Sequence, residues 1–236
     1  MNADPTIAGE IADASHILAH LGVFDAFGHV SVRDPTTPDR FLISRGIAPA
    51  RIRPDDIMVL DLDGNAVGND DRKSYLERFI HAEIYRARPD VGAVVHSHSP
   101  SVIPFGVVSS VPLKPVCHTC GFLAGGTPIF EIRDSVGAAS DLLVSTPRLG
   151  VDLAARLADA PVVLMRGHGV TVVGASLRQA VYRAAYTETN ARLQAQAMQL
   201  GPVEYLTDEE GFAGAKTNDG QIDRVWAHWL EMLGKE

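Results

Sequence analysis

Val94-Val95-His96-Ser97-His98 begins like a short apolar strand and ends in two histidines. Residues two apart on a strand face the same way, so His96 and His98 are expected side by side at one edge of a sheet, a bite suited to a single metal ion. The pair alone decides little, because His-x-His occurs in many strands by chance. Its meaning depends on whether the rest of the chain supplies a third ligand, an acid or base, and a pocket.

Upstream, Ser74 is placed to cap a helix running to about Ala87, with Glu77 in its first turn, where the helix dipole favours a carboxylate. Arg88-Pro89-Asp90 then turns this helix into the histidine strand. Farther back, Gly28-His29-Val30-Ser31-Val32-Arg33 alternates like a strand, Asp34-Pro35 breaks it, and Phe41 to Ser44 supplies its hairpin partner. Ile57 to Leu62 is a further strand, closed by Asp63-Gly64. Downstream, strand-like runs at Pro161 to Met165 and Val170 to Val173 flank Arg166-Gly167-His168-Gly169, which sets His168 in a tight turn. The stripe Ile7, Ile11, Ala14, Leu18, Leu21 predicts an opening helix ended by Gly22. Ser176 is expected to cap a long helix to about Leu200, and Thr207 to Leu233 to hold one or two shorter ones. The remaining stretches predict a short helix within Ser99 to Val107, short strands between Val111 and Ile132, and a mainly helical segment from Asp134 to Ala158 that Pro147 interrupts.

The chain has 236 residues, 46% hydrophobic and 21% charged, ordinary usage for a folded protein, and a single domain over residues 1–236 is expected. A net charge of -8 disfavours nucleic acid and anionic membranes. No apolar run approaches the roughly 20 residues of a membrane span, and Met1 to Thr6 lacks a charged-then-apolar signal pattern. A cytoplasmic protein with a small-molecule partner is the expectation. Cys117 and Cys120, in Cys-His-Thr-Cys, lack the second pair of a four-cysteine site, and Gly121 stands where haem attachment needs histidine, so they are assigned to the core or a pocket wall. His16 and His20 lack the glutamate of a zinc-binding His-Glu-x-x-His helix, and Glu10 and Glu83 are expected to be solvated helix-face carboxylates.

Of nine histidines, His29, His96, His98 and His168 lie beside strand ends. Three neutral imidazoles with an open position form a catalytic metal site, whereas structural zinc prefers closed, cysteine-rich cages. A metal that chelates adjacent substrate oxygens polarises them while a nearby carboxylate moves a proton.

The succession of Gly28 to Arg33, Leu42-Ile43-Ser44-Arg45, Glu77, Arg88-Pro89-Asp90 leading into Ala93 to His98, and Arg166-Gly167-His168-Gly169 is similar to the class II aldolase/adducin family over nearly the whole chain. The resemblance implies a three-layer α/β/α fold with a central, mostly antiparallel sheet. It further implies a homotetramer with sites near subunit interfaces, to which the C-terminal helices could contribute. One divalent ion per subunit would be held by His96, His98 and His168, with Glu77 as proton-transfer group. Zinc or manganese is expected, with cobalt or iron as alternatives, since three histidines accept all of these.

Departures from the sugar-phosphate aldolase pattern narrow the chemistry. His29 replaces an asparagine that helps bind phosphate, Tyr75-Leu76 replaces a serine pair before the glutamate, and Thr119, after His118, stands where some of those aldolases carry a catalytic tyrosine. The chain resembles instead the branch of metal-dependent decarboxylases of hydroxylated aromatic or pyridine dicarboxylates. In that branch Glu77 or His29 would protonate the ring carbon, Arg45 would grip a second carboxylate, and Ser44, His118 and Thr119 would line the pocket. The alternatives are an aldolase of an unphosphorylated hydroxy-keto acid, an iron-dependent oxygenase on the same scaffold, and a non-catalytic adducin-like interaction module.

Overall fold

A computed structural model describes residues 3–235, so Met1 and Asn2 of the polar opening stretch lie outside the described residues. Helix α1 (Pro5–His20) leads into the strands β1 (His29–Arg33), β2 (Arg40–Ser44) and β3 (Ile57–Asp61), then α2 (Arg78–Ala87) and β4 (Ala93–Ser97). There follow α3 (Ile103–Val107), a 3-10 helix at His118–Leu123, β5 (Ile129–Phe130), α4 (Arg133–Val136) and α5 (Pro147–Leu157). The hairpin β6 (Val162–Met165) and β7 (Gly169–Gly174) precedes α6 (Leu177–Leu200), α7 (Asp208–Asp219) and α8 (Ile222–Met232). No described helix is long and apolar enough to cross a membrane.

The strands form one seven-stranded sheet in the order β3-β2-β1-β4-β7-β6-β5, antiparallel except for the β5–β6 pair. Period-two alternation divides the core into two layers. Val95 and Val172 pack with Ile11, Leu18 and Val181 on one face, the side of α1 and α6. Val94 and Val173 pack with Ile80 and Leu153 on the other, the side of α2 and α5. The three-layer α/β/α arrangement follows from this split.

Several elements end where local chemistry dictates. Asp4 accepts from Thr6 N and Ile7 N to start α1, and Gly22, at φ +71°, follows its last turn. Ser176 accepts from Gln179 N to start α6, and Thr207 and Glu210 cap α7 reciprocally.

Other expectations are corrected. The helix expected to be capped by Ser74 begins at Arg78, with Glu77 at the position before its first turn and no side-chain cap. Pro147 opens α5 rather than interrupting a longer helix. Its fixed φ suits the first turn, and Thr146 accepts from Leu149 N as the cap. The region between Val111 and Ile132 contains β5 as its strand and is otherwise turns and the 3-10 helix. Glu83 is not solvated: it is 5% exposed, wedged where α2 meets α5, and paired with Arg86 at 3.2 Å. Glu10, half-buried, matches its expectation more closely and accepts from Arg178 at 2.7 Å.

The α2–α5 contact is close because Gly150 lacks a side chain. A Cβ there would lie 2.5 Å from the Phe79 carbonyl oxygen and 2.8 Å from Glu83 Cγ. Gly150→Ala is therefore expected to force the helices apart and cost about 1–3 kcal/mol, the range for overpacking. Gly9→Ala, whose Cβ would meet nothing within 4 Å, should instead gain roughly 1 kcal/mol of helix propensity. Denaturant midpoints of the two variants check the pair of opposite signs.

Candidate metal centre and active site

Strand register gathers the site. His29 on β1 lies directly opposite His96 on β4, and His96 opposite Thr171 on β7, so the three form one row across the middle of the sheet. His96 shares the face of Val94, the side of α2, which carries Glu77 at its start. The strand stops at Ser97, so His98 projects from the turn just beyond it. The rings of His96 and His98 are nevertheless 5.4 Å apart, and His168, from the β6–β7 turn, stands 4.9 Å from each.

The ligating atoms of Glu77, His96, His98 and His168 all lie within 4.8 Å of one another. Glu77 Oε2 is 3.5 Å from both His96 Nε2 and His168 Nε2, and His98 Nε2 is 3.0 Å from His168 Nε2. Donors around a tetrahedral zinc stand about 3.4 Å apart, given bonds of about 2.0–2.1 Å. The buried His96 Nε2 has no hydrogen-bond partner among the described residues, an expensive state for an imidazole nitrogen unless something occupies its lone pair.

Neighbouring groups orient the rings. His168 Nδ1 donates to the Leu142 carbonyl at 2.9 Å, which leaves Nε2 as the nitrogen that faces the cluster. Thr171 Oγ1 donates to Met165 Sδ and stands 3.4 Å from His96 Nδ1, the same arrangement on the second ring. Val144 N donates to Glu77 Oε1 at 3.1 Å and so turns Oε2 toward the histidines. Leu142 adopts φ +67°, a left-handed conformation that a leucine rarely holds without support.

Electrostatics follow from this packing. Burial pushes the Glu77 carboxyl up, but the adjacent His96 and His168 outweigh it and hold the group well below the usual carboxylate range. Burial lowers His168, yet Glu77 more than compensates and raises it, whereas burial together with His96 and His168 pulls His98 down to about 4. Burial, then His81 and His96, hold His29 well below the usual imidazole range. An anion facing three imidazoles, one with a stranded lone pair, fits a divalent cation.

A cavity of about 710 Å³ opens beside this cluster, walled by His29, Tyr75, Glu77 and His98 and rimmed by Phe27 and Leu76, each 65% exposed. Ser44 does not line it. Its Oγ lies 2.8 Å behind the Tyr75 hydroxyl, which donates to the Ile47 carbonyl. Arg45 is not brought to the histidines either, because Asp56 holds its Nε at 2.7 Å beside a separate cavity lined by His16 and Arg53. His118 is exposed and Thr119 half-buried, on the 3-10 helix against α7. The His118 carbonyl accepts from Asn218 and the Thr119 carbonyl from Tyr182, away from the cluster.

Tyr75, His81 and the main-chain groups of Leu142 and Val144 were not expected as parts of the site. His81 follows Glu77 by four residues, the spacing of one helix face, and this signal could have found it. The two backbone groups have no side-chain signature. Cys117 and Cys120 are free, with sulfurs 3.0 Å apart.

Two outcomes follow. His96→Ala should weaken zinc or manganese binding by more than about a hundredfold, beyond the typical loss on removing an orienting partner, as read by calorimetric titration of the metal-stripped protein. Hydrogen bonding from Cys120 and Thr119 brings the Cys117 thiol down to about 6, while Cys117 and burial push Cys120 up. Iodoacetamide should therefore modify Cys117 at neutral pH, with a rate that rises through pH 6 and levels off above it, and should spare Cys120, as peptide mass mapping would show.

The class II aldolase and adducin N-terminal domain family matches residues 9–195. Decarboxylase tropJ of Talaromyces stipitatus is 37% identical over 239 residues, covering 91% of this chain and 89% of its own length. A 3,4-dihydroxyphthalate decarboxylase of Arthrobacter keyseri is 32% identical over 206 residues, 81% of this chain and 78% of its own. Among solved structures, an L-fuculose 1-phosphate aldolase from Glaciozyma antarctica superposes with a TM-score of 0.79 at 21% identity, over 98% of this chain and 90% of that one, a likeness of fold.

Proposed function

The chain belongs to the class II aldolase and adducin family, in its decarboxylase-like branch, and from that premise we propose that it is a divalent-metal-dependent carbon–carbon lyase that decarboxylates a hydroxylated aromatic or pyridine dicarboxylate. The observation that carries this reading is the cavity itself. The His29 and Tyr75 rings meet at a tilt of 38° with centroids 4.5 Å apart, where a phosphate-binding site would need a ring of small donors, and the apolar Phe27 and Leu76 flank a surface suited to a flat ring.

His96, His98 and His168 are the residues that would hold the ion, with Glu77 beside it. When bound, a divalent cation supplies Lewis-acid polarisation of a phenolic oxygen and the adjoining carboxylate. Glu77, ionised in this setting, accepts the phenolic proton of the incoming substrate. Loss of carbon dioxide leaves the bonding pair of the broken carbon–carbon bond in the ring, and the ring carbon takes the single N–H hydrogen of the neutral His29 ring, which regains one from solvent through the open cavity. His29 is thus assigned as the acid in its neutral form. Arg45, held by Asp56, plays no part in this assignment. Assembly as a homotetramer would let a neighbouring subunit cover Phe27 and Leu76 and present the exposed His118 segment or the C-terminal helices to the site.

Carbon dioxide release from 3,4-dihydroxyphthalate and related hydroxylated aromatic dicarboxylates tests the reading. Protein loaded with manganese, cobalt or zinc is expected to turn over at least one of them, and Glu77→Gln to lose about 10²–10⁴-fold in rate, the usual contribution of a proton-transfer group. Absence of release across the panel from fully loaded protein would rule the assignment out.

A further inference from the structure

Behind His29 runs a line of buried polar groups, His81, Ser31 and Tyr85, that the reaction described above leaves unused. His29 Nδ1 lies 2.6 Å from His81 Nε2, His81 Nδ1 lies 2.6 Å from Ser31 Oγ, and Ser31 Oγ lies 2.7 Å from the Tyr85 hydroxyl. All four side chains are buried, His81 and Ser31 completely. Phe41 stacks nearly parallel to the His81 ring, 6.3 Å away at 10°, and limits its rotation.

Each of the three contacts holds one hydrogen, so the polarity of any one sets the polarity of all. Among the described residues the Tyr85 hydroxyl has no acceptor in reach other than Ser31 Oγ, and it donates there. Ser31 then donates to His81 Nδ1, His81 carries its hydrogen on Nε2 and donates to His29 Nδ1, and His29 must carry its own hydrogen on Nε2. That is the nitrogen left for the cavity His29 lines.

We infer that His81 is a positioning residue, locking His29 in the Nε2–H tautomer so that it presents a hydrogen-bond donor, and not a lone pair, to a carboxylate-bearing substrate. The opposite polarity would turn an acceptor toward an anion and leave the Tyr85 hydrogen without a partner. The inference rests on the proposed role of His29, but the tautomer can be read without any substrate.

The test uses zinc-loaded, full-length protein with ¹⁵N-labelled histidine, the His29 signals being identified by their loss in His29→Gln. In the unaltered protein His29 Nε2 should resonate as protonated and Nδ1 as unprotonated. His81→Leu should give a mixture of tautomers and lower kcat about 10–100-fold, the usual loss for an orienting partner, with KM and metal content unchanged. His81→Gln can give an N–H to His29 and take one from Ser31, and should keep the single tautomer and recover kcat to within about tenfold of the unaltered protein. Should His81→Leu not fold, Tyr85→Phe removes the donor at the far end and should bring in the second His29 tautomer. A hydrogen found on His29 Nδ1 in the unaltered protein, or a tautomer indifferent to His81→Leu and to Tyr85→Phe, overturns the inference. The expected tautomer in a protein that releases no carbon dioxide overturns the decarboxylase reading alone.

Discussion

A single buried carboxylate organises the functional half of this molecule. Glu77 is 8% exposed, and an ion taken that far from water costs several kcal/mol unless partners replace the lost hydration. The fold meets this demand from three directions: His96 from the central strand, His168 from a hairpin turn, and the Val144 N–H from the segment before α5. The sheet order serves the same end. Placing β4 between β1 and β7 brings His29, His96 and Thr171 into one row, and the α2 side of that row is where Glu77 enters. The centre is thus a property of register, and a slip of one residue in β4 would turn His96 to the opposite layer.

The parts of this arrangement written in side chains with short-range periodicity were legible in the sequence. The alternation of Val94 to His98, the Gly-His-Gly turn around His168, the cap at Ser176 and the β1–β2 hairpin all follow from local rules. Misreadings arose where tertiary packing overrode a local signal. Ser74 has the chemistry of a helix cap, but its Oγ is buried without a partner among the described residues while the chain stays irregular up to Glu77. Glu83 has the spacing of a solvated helix face, but Gly150 lets α5 approach closely enough to bury it. Arg45 has the fork a carboxylate wants, and Asp56, eleven residues on, takes it. The buried His29–His81–Ser31–Tyr85 line joins residues fifty or more positions apart and has no local signature.

The cavity gains its character from what replaced small polar residues. Tyr75 stands against His29 and is itself pinned by Ser44 and the Ile47 carbonyl, so its ring is a fixed wall. With Phe27 and Leu76 at the rim, one side of the pocket is flat and apolar while the other is a concentrated set of charges. Such asymmetry favours a ligand that is itself divided, a planar hydrocarbon face bearing anionic groups along one edge.

The irregular segment between α4 and α5 carries both backbone groups that serve the centre: the Leu142 carbonyl for His168, at a left-handed turn, and the Val144 N–H for Glu77. Two atoms of the cluster are therefore aimed by one short length of main chain. No side-chain replacement can delete those contacts singly, and they persist so long as the backbone path is kept. The electronic environment of the site is in this sense stored in the shape of a loop, where natural variation could retune it while every ligand stays the same.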